Sequence, residues 1–119
     1  MDERSAAAEG KRFGLQGFDA YGNAIRFYRC VCHATRGRRG HVVDQLRRAS
    51  ESVALNVAEA YPTTGADRAR RFRIAGNEAS ECGAALDLLE IQGALPARAL
   101  LELRAVLDRE RAMLWRLSR

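Results

Sequence analysis

Gln45-Leu46-Arg47-Arg48-Ala49-Ser50-Glu51-Ser52-Val53-Ala54-Leu55-Asn56-Val57-Ala58-Glu59-Ala60 is the stretch that decides the fold. It carries two stripes at helical spacing. At about 100° per residue, Val42, Leu46, Ala49, Val53, Val57 and Ala60 fall within about 80° of one another and make a core face. Gln45, Arg48, Ser52, Asn56 and Glu59 form a second stripe roughly 90° round the same helix. Polar residues this regular beside a core face either find partners across a helix interface or form a wet flank, and the sequence allows both. Glu59 is expected to pair with an arginine, either Arg48 or one across a subunit boundary.

Breakers on both sides of this helix divide the rest of the chain. Arg36-Gly37-Arg38-Arg39-Gly40 separates it from a first helix, expected from about Phe18 or Asp19 to Thr35. The second helix runs from near His41 to near Ala60, and Tyr61-Pro62-Thr63-Thr64-Gly65 ends it because Pro62 blocks continuation. A third helix is expected from about Ala66 to Gln92, with Gly93 at its end, and a fourth from about Ala97 to Leu117, with Pro96 at its first turn. Tyr21, Ile25, Tyr28 and Cys32 read as the core stripe of the first helix, with a second apolar patch at Ala24, Phe27 and Val31. Phe72, Ala75, Ala79, Cys82, Leu86 and Leu89 serve the third. There, Gly76, Ala79 and Gly83 make a small-residue edge that invites close approach of a neighbour. Leu100, Leu103, Leu107, Leu114 and Leu117 serve the fourth, which has another stripe at Leu101, Ala105, Ala112 and Trp115.

Four helices with short connections predict an all-α, single-domain, up-down-up-down antiparallel four-helix bundle over residues 13–119, preceded by a flexible arm at 1–12. Leu55, the second patch of the first helix and the Trp115 stripe exceed what one such core buries. A homo-oligomer is the expected remedy.

Composition supports this reading. A hydrophobic share of 47% is enough for a core and argues against a disordered chain. Alanine, leucine, arginine and glutamate dominate, which favours helix. The three cysteines are an odd number. No apolar leader follows the charged start, and no run reaches the ~20 apolar residues of a membrane span. A cytoplasmic, thiol-reduced protein with no membrane partner is expected. The net charge of +5 fits an anionic partner, and arginine supplies 19 of the 20 basic residues.

Cys30-Val31-Cys32-His33 resembles a metal-binding fragment, but residues two apart on a helix point about 200° from each other and do not chelate one ion. No Glu-x-x-His pair accompanies Glu59, Glu78 and Glu81, so a di-metal carboxylate site is rejected. His33 and His41 lack a nucleophile motif. No catalytic residue, metal or cofactor is expected, and the protein reads as a non-enzyme.

Arginines cluster in two places: Arg36, Arg38, Arg39, Arg47 and Arg48 around the start of the second helix, and Arg68, Arg70, Arg71 and Arg73 in the first turns of the third. Cations there oppose the helix dipole, which points to a partner anion. The alternative is that they are solvated or pair with a neighbouring subunit. Aromatics that might stack bases are not interleaved with them, Phe72 being read as a core residue, so phosphate contact without base readout is expected.

The residues quoted at the outset resemble a known signature. Gln45-Leu46-Arg47-Arg48-Ala49, Ser52-Val53 and Asn56-Val57-Ala58-Glu59 match the Q-L-R-R-A, S-I, N-I-A-E-G pattern of four-helix bundle proteins encoded in intervening sequences of bacterial 23S ribosomal RNA genes. Arg71-Phe72 and Ile74-Ala75-Gly76-Asn77 resemble that family's aromatic followed by I-A-x-G-S, and Glu78, Ser80 and Glu81 its acidic segment. Ala60 replaces the usual glycine, and Gly37-Arg38-Arg39-Gly40-His41 replaces a P-x-x-E. The resemblance implies a homo-oligomeric bundle, most naturally a pentamer. It also brings in a related branch, the accessory proteins of diversity-generating retroelements, which are basic pentamers that bind a reverse transcriptase and nucleic acid. The expected function is a non-catalytic bundle that binds RNA or DNA or scaffolds a nucleic-acid-handling partner. A protein adaptor without nucleic-acid binding is the alternative.

Overall fold

Helix stops are local chemistry. In the computed structural model, which describes residues 18–119, α1 (Asp19–Ala34), α2 (His41–Ala60), α3 (Gly65–Ile91) and α4 (Ala97–Leu117) follow one another. The described residues hold no strand. The expected arm at 1–12 and the first residues of the expected bundle, 13–17, lie outside the described residues. The bounds of α2 and α4 and the start of α1 are those expected, while α1 ends, and α3 both begins and ends, one residue earlier than expected. Gly93 closes α3 with φ +64°. Its N–H reaches the Glu90 carbonyl and that of Ala94 reaches the Leu89 carbonyl, both at 3.0 Å. This left-handed turn satisfies two carbonyls that the helix leaves open. Pro96 lies just outside the expected first turn, at the N-cap of α4, where its carbonyl accepts the Leu100 N–H at 3.1 Å.

Each helix packs against two others. α2 lies between α1 and α3, α4 closes the ring between α3 and α1, and the diagonal pairs stay apart. One core results. It includes Phe27 from α1, Leu46, Val53 and Val57 from α2, Phe72, Leu86 and Leu89 from α3, and Leu103 and Leu114 from α4. Its long dimension, 42 Å, matches the roughly 40 Å rise of a helix of 27 residues such as α3. Phe18 packs on Tyr61 at 4.9 Å and on Phe72 at 5.8 Å, tying the start of α1 to the end of α2 and the start of α3. Among the described residues no helix is long and apolar enough to cross a membrane.

The α1 stripes differ from expectation. The face expected to be surplus, Ala24, Phe27 and Val31, is fully buried, whereas Ile25, Tyr28 and Cys32 are only half-buried. Alanines at 20 and 24 let the neighbouring helices come close around Phe27, so that face becomes the centre of the contact. The Tyr28 stripe becomes its α2 flank, where the Tyr28 hydroxyl reaches Glu51 at 3.5 Å. The apolar surplus assigned to α1 is therefore used within the fold.

One core residue is an acid. Glu110 has no solvent exposure. Its Oε1 accepts the Asn23 amide at 3.0 Å, the same amide donating to the Val106 carbonyl at 3.2 Å. The other oxygen, Oε2, has no partner among the described residues. Burial pushes this carboxyl up to about 8, opposed only by the Asn23 hydrogen bond. A buried carboxylate is costly, so the neutral acid is the form that fits the α1–α4 seam.

The sign of the pH dependence follows. The unfolded chain releases the Glu110 proton around 4.5 and the folded chain only around 8. This group's contribution is best below the lower value, declines as pH rises between the two, and levels off above the upper one. Across that window the loss should be on the order of 3–5 kcal/mol. Urea unfolding from pH 5 to pH 8 should show the decline, and Glu110→Gln should flatten it. Parallel curves for both proteins would refute the assignment.

Candidate nucleic-acid interface

Arg47 and Arg48 are neighbours in sequence but point to different helices. Arg47 lies on the α1 flank of α2. Its Nε donates to Thr35 Oγ1 at 2.9 Å and its Nη2 to the Thr35 carbonyl at 2.7 Å. Thr35 is fully buried, and its hydroxyl also donates to the Val31 carbonyl at 2.7 Å. Arg38 donates to the Ala34 carbonyl at 3.3 Å and to the Ala94 carbonyl at 2.7 Å, joining the α1–α2 and α3–α4 connections. Both cations therefore serve the carbonyl end of α1, where the dipole favours them. Their place near the start of α2, which reads as unfavourable in sequence, is resolved by the adjacent helix.

The rest of this cluster is open. Arg36 and Arg39 are exposed. Arg48, also exposed, donates to Gln45 Oε1 and faces Glu78. The Glu78 carboxyl is raised by its own burial and by neighbouring Glu81, and lowered in part by Arg48.

The second cluster divides in the same way. Arg71 reaches Asp67 at 3.3 Å and Glu59 at 3.7 Å, and Arg70 reaches Asp67 at 3.7 Å. Arg68 lies over the Phe72 ring at 5.6 Å. Arg73 donates to the Ser118 carbonyl at 3.3 Å, at the end of α4. The polar stripe of α2 lies on its α3 flank. Gln45, Ser52 and Asn56 are half-buried there and Arg48 and Glu59 exposed. Asn56 donates to the Ser52 carbonyl and hydroxyl at 2.8 and 3.0 Å. Only Glu59 bonds across the helix seam, and its partner is Arg71, not Arg48.

A groove that sequence reasoning missed runs between α3 and α4. It measures about 620 Å³ and is lined by Phe72, Arg73, Gly76, Asn77, Ser80, Asp108, Arg111 and Trp115, among others. Trp115 is 66% exposed, and the Arg119 guanidinium lies 5.7 Å from its ring centroid. The expected absence of stacking aromatics among the arginines holds within the runs of sequence only because Phe72, between Arg71 and Arg73, is fully buried, and it does not hold in space. Arg104, Asp108, Arg111 and Trp115 follow at helical spacing on α4, and that stripe was the available signal. It mixes charge with one aromatic, so an apolar-stripe search passes over it. The small-residue edge of α3 also differs from expectation. A Cβ on Gly83 would touch Leu107 and Arg111 at 3.8 Å, but one on Gly76 would meet nothing within 4 Å. At Gly76 the edge opens the groove instead of admitting a helix.

The thiols have separate surroundings. Cys30 donates to Glu102 at 3.6 Å, and burial followed by that carboxylate pushes it up. Cys82 is buried and pushed up to about 12 by burial, with Glu78 and Glu81 adding. Raised thiols are poor nucleophiles. Among the described residues no group of three or more His, Cys, Asp or Glu gathers in a metal-binding arrangement.

Arg47→Ala should destabilise the fold by about 1–3 kcal/mol, because it leaves the buried Thr35 groups short of a charged donor. Arg39→Ala should stay within about 0.5 kcal/mol. Equal denaturation midpoints for the two variants would remove Arg47 from its capping role.

No curated protein matches the chain. The family model described as 23S rRNA-intervening sequence protein matches residues 18–116, which take in all four helices apart from the last residue of α4. The chain belongs to the 23S rRNA-intervening sequence protein family.

Proposed function

We propose that the protein is a non-catalytic, up-down-up-down antiparallel bundle of the cytoplasm that assembles as a homo-oligomer, with a pentamer the favoured size. It binds RNA or DNA through backbone phosphates, or holds a nucleic-acid-handling partner such as a reverse transcriptase. One observation carries this reading. When the arginines of the two clusters that bond to another segment of the fold are set aside, exposed guanidiniums remain at Arg36, Arg39, Arg48 and Arg70, the last two touching only Gln45 and Asp67 of their own helices, on a chain of net charge +5. The family name, which refers to an rRNA sequence, agrees with an RNA-related role. The ring of helix contacts and the Arg38 bridge between two connections fit the antiparallel order.

Exposed apolar residues support assembly. Leu88, Ile91 and Leu101 lie on either side of the α3–α4 turn, with Ile91 82% and Leu101 73% exposed. Burying such side chains against a second copy gains roughly 1.5–3 kcal/mol each. The same residues favour the second reading, an adaptor for another protein with no nucleic-acid binding. Light scattering should give a mass well above the 13.2 kDa of one chain, and a monodisperse monomer at micromolar concentration would overturn the oligomer.

Salt dependence separates the two functions. Each phosphate neutralised on duplex DNA contributes about 0.9 to the log–log slope of affinity against salt. Replacing Arg36, Arg39 and Arg48 with glutamine should weaken binding almost uniformly across sequences and flatten that slope while helicity persists. Arg38 and Arg47 are excluded from the variant because they hold α1. No binding by the parent protein at low salt would favour the adaptor.

A further inference from the structure

We propose that the α3–α4 groove holds an unpaired nucleotide of a single-stranded RNA or DNA, with its base stacked on Trp115 and its phosphates met by Arg73, Arg111 and Arg119. This rests on the nucleic-acid reading above and adds a strand preference to it.

Three independent features converge on the groove. The first is the aromatic. Trp115 is largely exposed, and one face of its ring already attracts a cation, Arg119 at 5.7 Å. A ring that holds a guanidinium also accepts a base, because both are flat, polarisable and cationic or electron-poor at the edge. The second is charge. Three guanidiniums meet one carboxylate, Asp108, around the groove. Among the described residues Arg111 and Arg119 make no ion pair, and Arg73 uses one N–H on the Ser118 carbonyl, leaving further donors of its fork available. The third is Gly76. A glycine inside a helix costs about 0.5–1 kcal/mol relative to alanine. No neighbour requires it, since a Cβ would meet nothing within 4 Å. A bare backbone facing an open groove is what close approach of a ligand needs.

The bases of a duplex are already stacked on one another and cannot enter. An unpaired base can, and the groove offers Asn77 and Ser80 to its edge. The arginines of the α1–α2 connection, by contrast, contact phosphates of either form.

Trp115 is the only tryptophan in the chain, so its emission reports on this groove alone. A short, labelled, mixed-sequence RNA would be titrated at low salt as a single strand and as a duplex, following label anisotropy and tryptophan emission together. The single strand should quench Trp115 saturably, and the duplex should bind without quenching. Trp115→Ala should lower single-strand affinity about tenfold and leave duplex affinity unchanged, while Trp115→Phe should retain most of it. Gly76→Leu fills the groove from the α3 side while favouring helix, and should reproduce the loss even if Trp115→Ala fails to fold. Equal quenching by the duplex, or single-strand affinity unchanged in the folded Trp115→Ala and Gly76→Leu variants, would overturn the proposal. So would a blue shift of Trp115 emission with rising protein concentration alone, which would place a second copy in the groove. Anisotropy without quenching would sink the groove and spare nucleic-acid binding, and no anisotropy change with either RNA would sink both.

Discussion

The seam between α2 and α3 is the contact on which the remaining arrangement depends. Ala49, Val53, Val57 and Ala60 on one side and Ala75, Ala79 and Cys82 on the other are all buried. Small side chains let two long helices lie close along most of their length, and the core then grows outward through Leu46, Phe72, Leu86 and Leu89. Once this pair is set, α1 and α4 have one place left to pack, each against one member of the pair and against one another. The α1–α4 seam is where the core admits an acid, and there Asn23 and Glu110 meet across it.

A second constraint acts at the helix ends. Among the described residues no helix has a side-chain N-cap bond, whereas C-terminal carbonyls are repeatedly met. Thr35, Arg38 and Arg47 serve α1, Thr63 serves α2 at 2.6 Å, and Arg73 reaches the end of α4. Arginines that look misplaced at helix starts are close, in three dimensions, to the ends of other helices. That sorting matters for function. It removes Arg38 and Arg47 from the freely available cations and directs attention to Arg36, Arg39 and Arg48, and to the groove beside Trp115.

Family membership and surface chemistry point the same way without depending on each other. The family is identified from the match over residues 18–116. The exposed guanidiniums and the α3–α4 groove come from geometry. Charge alone would fit any polyanion. A tryptophan with a cation on its ring, beside a helical glycine whose added Cβ would meet no neighbour, is more selective, and on it rests our proposal of a flat ligand that carries negative charge.

Helix number, helix bounds within a residue or so, the core faces of α2, α3 and α4, and the family signature were all legible in the chain itself. They depend on local breakers such as Pro62 and Gly93 and on a 3.6-residue period, which one strand of sequence displays in full. Which of two apolar stripes on α1 faces the core was not legible, because that depends on how closely neighbours approach Ala20 and Ala24. Nor was the partner of Glu59, the burial of Glu110, or the division of Arg47 from Arg48. The groove was the least legible feature. Its walls lie on two helices, with Arg73 and Gly76 on α3 and Arg111 and Trp115 on α4, and only the packing of those helices brings them together. Periodicity determines which residues share a face of one helix, and tertiary structure alone decides which faces meet.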